Sequence, residues 1–471
     1  MKRKGNRFIG DAAFYHRLLV LVVPIIIQSA VTNFVTLIDN VMVGRLGTVA
    51  ITGVSVVNQL SMVIFITMFG IVSAGSIYGA QYFGNGDTEG VRRCFRFKIL
   101  VCILVAVAGI LILLFAGDRL IMLFLTDTSG SGAVAETLSC ARDYMRVMLI
   151  GFLPFALVNA YSSTLREAGE TVVPMIASVV AIIINMTFNY LLIFGKFGFP
   201  KWGVVGAAVA TVLSRYVECA IIVIFAHVRS NKYQFVKEVY SKFYIPGSLL
   251  KNIIKTGAPL ILNEVLFSLG ITMINQSYST RGLEVVAAMN ITNTAVTIFM
   301  VINMSMGSAI SVFVGQQLGA GRIEEAIDTD RKLIFFTFIL HCFIGVVMFL
   351  VAPKIPLLYN TSMDIREMAM MMLRINAIHL PIGALYNSLY FTIRCGGKTL
   401  ITFFFDACFT MVISLPLVFF LSRYSAIAVI GIFTIEKVAD LIRVVLGLII
   451  VKKGAWAKNL VSAKKASGEE A

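Results

Sequence analysis

Residues 24–47 read PIIIQSAVTNFVTLIDNVMVGRLG, and the fold follows from a conflict inside this stretch. It is apolar enough to form the outer part of a first membrane-crossing helix. Yet Gln28, Thr32, Thr36 and Asp39 stand at i, i+4, i+8 and i+11, which places them on one helical face. A carboxylate in hydrocarbon costs about 2.5 kcal/mol or more when nothing compensates it. The stripe must therefore turn away from lipid, towards other helices or water. The residues one turn from Asp39 are Val35, Thr36, Met42 and Val43, so no cation neutralises it locally. It must be protonated, hydrated, paired across helices or bound to a cation. The rest of the chain is expected to build a wet cavity around this stripe and a second one in its image.

The composition sets the solvent. The chain is 58% hydrophobic and only 14% charged, against about 25% in soluble domains, with mean hydropathy +0.88. Apolar runs long enough to cross a bilayer recur along its whole length. Twelve are expected, near 14–43, 50–79, 94–116, 143–165, 172–194, 203–228, 252–279, 284–314, 332–352, 366–393, 399–421 and 424–451. The predicted class is an all-α integral membrane protein. The first run is too long and too polar in its second half for a cleaved leader, so it is expected to remain as a helix. With the N-terminus inside, 26 of the 40 Lys and Arg residues fall at the cytoplasmic end of a span, which puts both termini in the cytoplasm. The net charge of +15 is thus read as topology, and no nucleic-acid partner is expected. The seven cysteines and four histidines show no metal spacing, and no nucleotide loop or catalytic constellation occurs. An enzyme and a resident cofactor are not expected.

The chain is one unit written twice. Pro24 aligns with Pro259, Gly47 with Gly282 and Asn58 with Asn293; QYFGNGDTE (81–89) meets QQLGAGRIE (316–324). After the longer TDTSGSGA loop the register changes: ALVNAYSSTLREAGET (156–171) meets ALYNSLYFTIRCGGKT (384–399). Later still, Glu218 meets Asp440. Two tandem six-span repeats insert in the same orientation, so two pseudo-symmetric lobes are expected. The organisation read from this is a segment 1–13, an N-lobe 14–228, a basic amphipathic linker 229–250 on the membrane surface, a C-lobe 251–451 and a tail 452–471. Two similar lobes supply two near-equivalent packings, the basis of alternating access in a transporter.

The second half repeats the polar stripe as Glu264, Ser268, Thr272 and Asn275, displaced by one residue. Asn290, Asn293 and Asp406 are further candidates for a C-lobe cavity. Asp406 has no cation on its own helix, and Glu264 has either a function or a structural partner in Lys437 or Arg281. Glu218 and Asp440 carry Arg215 and Lys437 at i−3 and read as self-neutralised pairs. An acid that takes up a proton from one side loses its charge and lets its helix repack. The same carboxylate among Asn and Thr oxygens also suits a hard cation such as Na⁺, in which case Asp39 would be its ligand. The residues leave that choice open.

With these residues in hand, the chain from about 14 to 460 resembles the multidrug and toxic compound extrusion (MATE) family. The resemblance is carried by IDNVMVGRLG (38–47), GAQYFGNGD (79–87), NMTFNYLLIFGKFGFPKWGVVGAAVAT (185–211), GQQLGAGR (315–322) and KKGAWAKNL (452–460). It implies a two-lobed, twelve-helix exporter in which entering H⁺ or Na⁺ drives organic cations and other toxic compounds out. It also implies that Asp39 is the coupling acid, clustered with Asn185, Asn189 and Thr211. Asn189 stands where many relatives have a second acid, which tilts the expectation towards protons. The expected protein is a monomeric multidrug exporter of a bacterial cytoplasmic membrane, with Pro24 as the hinge of helix 1. The alternatives are a lipid or lipid-linked oligosaccharide flippase of the same scaffold, and a non-transporting membrane scaffold.

Overall fold

The computed structural model describes residues 7–125, 131–241 and 243–462. Lys2, Arg3 and Lys4, most of the TDTSGSGA loop and the end of the tail lie outside the described residues. Among the described residues the chain is helical, without strands. The first half comprises α1 (Ala12–Gly44), α2 (Thr48–Gly84), α3 (Thr88–Met122), α4 (Ser131–Ile150), α5 (Phe152–Glu167), α6 (Val172–Phe194) and α7 (Gly203–Val228). The second comprises α8 (Gly247–Ser279), α9 (Leu283–Gly319), α10 (Ile323–Val351), α11 (Met363–Cys395), α12 (Thr399–Phe403), α13 (Leu415–Tyr424) and α14 (Val429–Lys452).

Among the described residues, ten stretches are long and apolar enough to cross a membrane, counting Thr399–Tyr424 as one. The expected fourth span is instead two helices, α4 and α5, bent by 45° at Gly151. A Cβ at that glycine would lie 3.2 Å from Val212 and 3.3 Å from Arg215, so the bend lets α7 come close. The twelfth expected span is α14. It misses the apolar criterion because Glu436, Lys437, Asp440 and Arg443 lie within it. The eleventh is not uniform either, since residues 404–408 and 410–414 widen to π-helix.

The chain divides into two compact units. One holds residues 23–79 and 88–251, the other 1–22, 80–87 and 252–471. α1 therefore passes from one unit to the other beside Pro24, as an unbroken helix. Its start is set by Asp11, whose Oδ1 accepts the Phe14 N–H at 2.8 Å as an N-cap.

Within the first unit, a hairpin of α6 and α7 carries most of the polar residues of interest. α6 stops at Gly195, which takes the left-handed conformation (φ 65°) and returns its N–H to Leu191. α7 then closes on α6 through Gly206, where a Cβ would lie 2.6 Å from the Leu192 carbonyl oxygen. The segment after α7 packs on α3. Tyr233, Phe235, Val236 and Val239 are buried, and the Arg96 guanidinium donates to the carbonyls of Glu238 (2.8 Å) and Val239 (3.0 Å). Lys98, one of the basic residues counted towards topology, is buried and ion-paired with Glu167 on α5.

Within the second unit, the last turn of α2 meets the last turn of α9. Ala80-x-x-x-Gly84 and Gly315-x-x-x-Gly319 face each other, the small-residue spacing that lets helices touch. A Cβ on Gly84 would lie 1.8 Å from the Gln316 carbonyl oxygen, and one on Gly319 would lie 1.9 Å from that of Gln81. Gln81 is fully buried and donates to the carbonyls of Cys395 (3.1 Å) and Lys458 (3.2 Å), while Leu460 N–H donates back to its Oε1 at 2.7 Å. The repeat thus survives as a close crossing clasped by the tail. Gly84→Leu forces backbone to move at this crossing and is expected to cost about 2–3 kcal/mol, read as an earlier thermal melt in detergent. A melt within about 1 kcal/mol of the unsubstituted protein would contradict so tight a contact.

Candidate functional site

Two residues of the opening stripe reach across to α6 with the same offset. Gln28 Nε2 donates to Ser178 Oγ, and Asp39 Oδ1 accepts from Asn189 Nδ2, each at 2.7 Å and each across 150 positions. A constant offset means that α1 and α6 run parallel and in register over eleven residues, about 16 Å. The other two hydroxyls of the stripe do less. Thr32 and Thr36 bond back to the carbonyls of Gln28 and Thr32 on their own helix.

The upper rung is the convergence expected for Asp39, Asn185, Asn189 and Thr211. Asn185 and Asn189 are one turn apart on α6 and buried. Asn189 donates to Asp39 and also reaches Asn185 Oδ1 at 3.1 Å. Thr211 on α7 lies 3.3 Å from the Asn185 amide. The Asn185 amide has two ways to sit. With its nitrogen towards Asp39 it donates to both carboxylate oxygens at 3.1 Å, and its oxygen accepts from Thr211. With its oxygen towards Asp39, the carboxyl itself must carry a proton for that contact to be a hydrogen bond. Among the described residues no Lys, Arg or His pairs with Asp39. Tyr144 on α4, within electrostatic range of Asp39, holds Asn58 through its hydroxyl at 3.4 Å. Sequence reasoning singled out Asn58 but not Tyr144, since a lone tyrosine in an apolar run gives no signal.

The lower rung continues inward. Ser178 Oγ donates to Glu218, so Gln28, Ser178 and Glu218 form a chain. Arg215 is within electrostatic range of Glu218, as the i−3 spacing predicts, but closes no ion pair with it among the described residues. Arg215 instead lies over the rings of Phe65 (5.1 Å) and Phe155 (5.0 Å).

The aligned positions in the second half do the same with charges. Asn263, the counterpart of Gln28, donates to Asp406 at 3.1 Å, the counterpart of Ser178. Its oxygen accepts the Ala407 N–H at 3.1 Å, inside the π-helical segment. Asp406 is not unpaired: Arg443 lies 3.3 Å away. The same guanidinium lies 3.5 Å from Asp440, donates to Thr410 at 2.6 Å, and stacks on Phe409 at 4.4 Å. Asp440 is also held by His379 at 3.0 Å, rather than by Lys437, which turns to Glu436 at 3.3 Å.

Glu264, chosen from the sequence, sits one residue beside the face that meets Asp406. It pairs with neither Lys437 nor Arg281; it lies in the field of Arg394 and Asp406. Arg281 instead donates to the carbonyls of Leu421, Ser422 and Ser425 at 2.6–2.7 Å. Asn275, Asn290 and Asn293 are exposed and are not gathered around Glu264. The exact repeat register gives Asn263, whereas a search for a charged stripe gives Glu264.

The comparisons with known proteins agree with this duplicated plan. The MatE family model matches residues 24–191 and 259–420, one match in each half. The chain belongs to the MatE family. The probable multidrug resistance protein NorM of Thermotoga maritima is 26% identical over 447 residues, covering 94% of this chain and 93% of that protein. Crystal structures of MATE in the straight and the bent conformation superpose with TM-scores of 0.84 and 0.82 at 21% identity. They cover 96% and 95% of this chain, and 99% and 97% of theirs. This MatE protein is thus a multi-pass membrane protein whose two halves share a frame and differ in charge. The first half holds an acid without a cation. The second holds two acids with a cation, Arg443, built in.

Proposed function

We propose that this MatE protein is a secondary-active exporter that lets H⁺ in through Asp39 and moves small, organic, mostly cationic compounds out by alternating access. The observation that carries this is the cluster of Asp39, Asn185, Asn189 and Thr211, an acid with no cation beside it. Protonation and the Asn185 amide are linked there. An ionised carboxylate draws the amide nitrogen, and a protonated one donates to the amide oxygen. Neutralising Asp39 thereby alters how α1 is tied to α6 at one rung, while the Gln28–Ser178 rung can stay.

The amides favour a proton over Na⁺. Asn189 already aims a donor at the carboxylate, and Asn185 aims a second when Asp39 is ionised. Donors repel a metal cation, which needs several oxygen ligands. In the second half, Arg443 serves as a tethered cation, so no exchangeable one is required there. Multidrug export is supported by the name of the Thermotoga relative, and a change of conformation by the existence of a similar protein in bent and straight conformations.

Proteoliposomes given a pH gradient or a Na⁺ gradient separately test the reading. Export of a fluorescent organic cation should follow the pH gradient alone; export under the Na⁺ gradient alone would replace the proton with Na⁺, and none under either would remove the function. Pro24 lacks the N–H that would close a helical turn, so it is the candidate hinge where α1 passes between units. Pro24→Ala restores that bond, and export should fall roughly tenfold, about 1.4 kcal/mol on the rate-limiting step, with an unchanged melt. Unimpaired export would place the hinge elsewhere.

A further inference from the structure

α10 and α14 both pack on α11, and a cavity of about 440 Å³ lies among the three. That is within the range of ligand-sized pockets, about 300–1,000 Å³. Ile334 and Phe338 on α10, Leu389 on α11 and Leu448 on α14 make its walls apolar. Outer residues of the two flanking helices, Phe343 on α10 and Val445 on α14, are exposed apolar side chains of the kind that face hydrocarbon.

One end of the cavity is different. Arg331 and Lys452 line it; neither closes an ion pair within 4 Å among the described residues, though Arg331 lies in the field of Asp330, whereas neighbouring Lys332 is paired with Asp328 at 2.6 Å. The single acid there, Asp330, is buried, and its Oδ1 accepts from Thr392 at 2.6 Å. Phe8 closes this end, its ring 5.5 Å from that of Phe335, and the Tyr15 ring packs at a tilt on that of Phe336 at 5.3 Å. The residues at this end come from the N-terminal segment, the start of α10 and the end of α14, which the charge distribution assigns to the cytoplasmic face.

We propose that this cavity is a binding site for an anionic phospholipid of the cytoplasmic leaflet, with an acyl chain between α10 and α14 and the headgroup between Arg331 and Lys452. An apolar stem beneath two cations, with the one acid there buried and bonded to Thr392, matches an anionic amphiphile on both counts. An organic cation is repelled by the same two residues, and a free anion gains nothing from the walls. The site is separate from the Asp39 cluster and does not depend on how transport is coupled.

The test uses the purified full chain in neutral detergent, titrated with phosphatidylglycerol or with phosphatidylcholine of the same acyl chains. Retention is read by native mass spectrometry and by the shift of the thermal melt. Phosphatidylglycerol should bind at least tenfold more tightly. One cation near an anionic headgroup is worth about a fivefold change, so Arg331→Ala with Lys452→Ala should weaken phosphatidylglycerol roughly 25-fold and leave phosphatidylcholine unchanged. Lys452→Ala alone, at an exposed position that carries no fold risk, should give about fivefold. Leu389→Trp fills the stem and should weaken both lipids. Equal affinity of the wild type for the two lipids, or full retention of phosphatidylglycerol by Lys452→Ala, overturns the proposal.

Discussion

Asp39→Asn should abolish proton-driven export while leaving a folded protein. The substituted amide is nearly isosteric with the acid. Its oxygen can accept from Asn189, as Asp39 Oδ1 does at 2.7 Å, and its nitrogen can donate to Asn185, whose oxygen then faces it. The variant therefore imitates the neutral acid permanently. It loses the ability to exchange a proton and keeps the hydrogen bonds. Since a buried charge is removed, the melt should be unchanged or later, by up to about 2 kcal/mol. Substrate binding should persist, and dye efflux from proteoliposomes under a pH gradient should fall to the rate of protein-free vesicles. Wild-type efflux by a properly folded Asp39→Asn protein would remove Asp39 from the coupling mechanism.

Arg443→Met should be the most damaging single change in the second half. The guanidinium sits between Asp406 and Asp440, bonds Thr410 and stacks on Phe409. Its removal leaves two largely buried carboxylates, within electrostatic range of each other, with one cation fewer. Breaking a buried pair from one side typically costs about 3–5 kcal/mol, because the orphaned charge stays in a poorly solvating interior. The loss should appear as a large drop in the melting temperature or as failure to recover monodisperse protein. Adding Asp406→Asn to Arg443→Met should restore a substantial part of it, since the orphaned charge goes too. A single variant that melts within about 1 kcal/mol of the wild type would show that the guanidinium is not what holds these acids. The two substitutions separate the halves: one should stop transport without unfolding, the other should unfold first.

Much of this was legible beforehand, for local reasons. Helical periodicity put Gln28 and Asp39 on one face, and both do meet α6. The family resemblance implies the companions of Asp39; Asn185 and Asn189 do meet it, and Thr211 lies behind them against Asn185. The reading went astray where the partner came from a distant helix. A local test finds no cation for Asp406, because Arg443 stands 37 positions on, on α14. Asp440 looked neutralised by Lys437 because i−3 neighbours can touch, yet it is His379 and Arg443 that approach it. A charged stripe points to Glu264, whereas the residue in exact repeat register with Gln28 is the amide Asn263, which meets Asp406. Lys98 was counted as a basic loop residue although it is buried against Glu167.

The sequence by itself determined the solvent, the helices and their duplication. Hydrophobic length, charge bias and repeat register are properties of the chain that survive any packing. It also determined that Asp39 has no cation on its own helix, because helix geometry fixes which residues lie a turn away. The tertiary structure decided which charges are compensated. Arg443 reaches Asp406 from another helix, and among the described residues no cation pairs with Asp39. That difference depends on which faces meet across the bundle, where one residue of rotation exchanges an amide for a carboxylate. It leaves the first half with an acid that no described cation approaches, the basis for proposing proton exchange there, and the second half with a cation already in place.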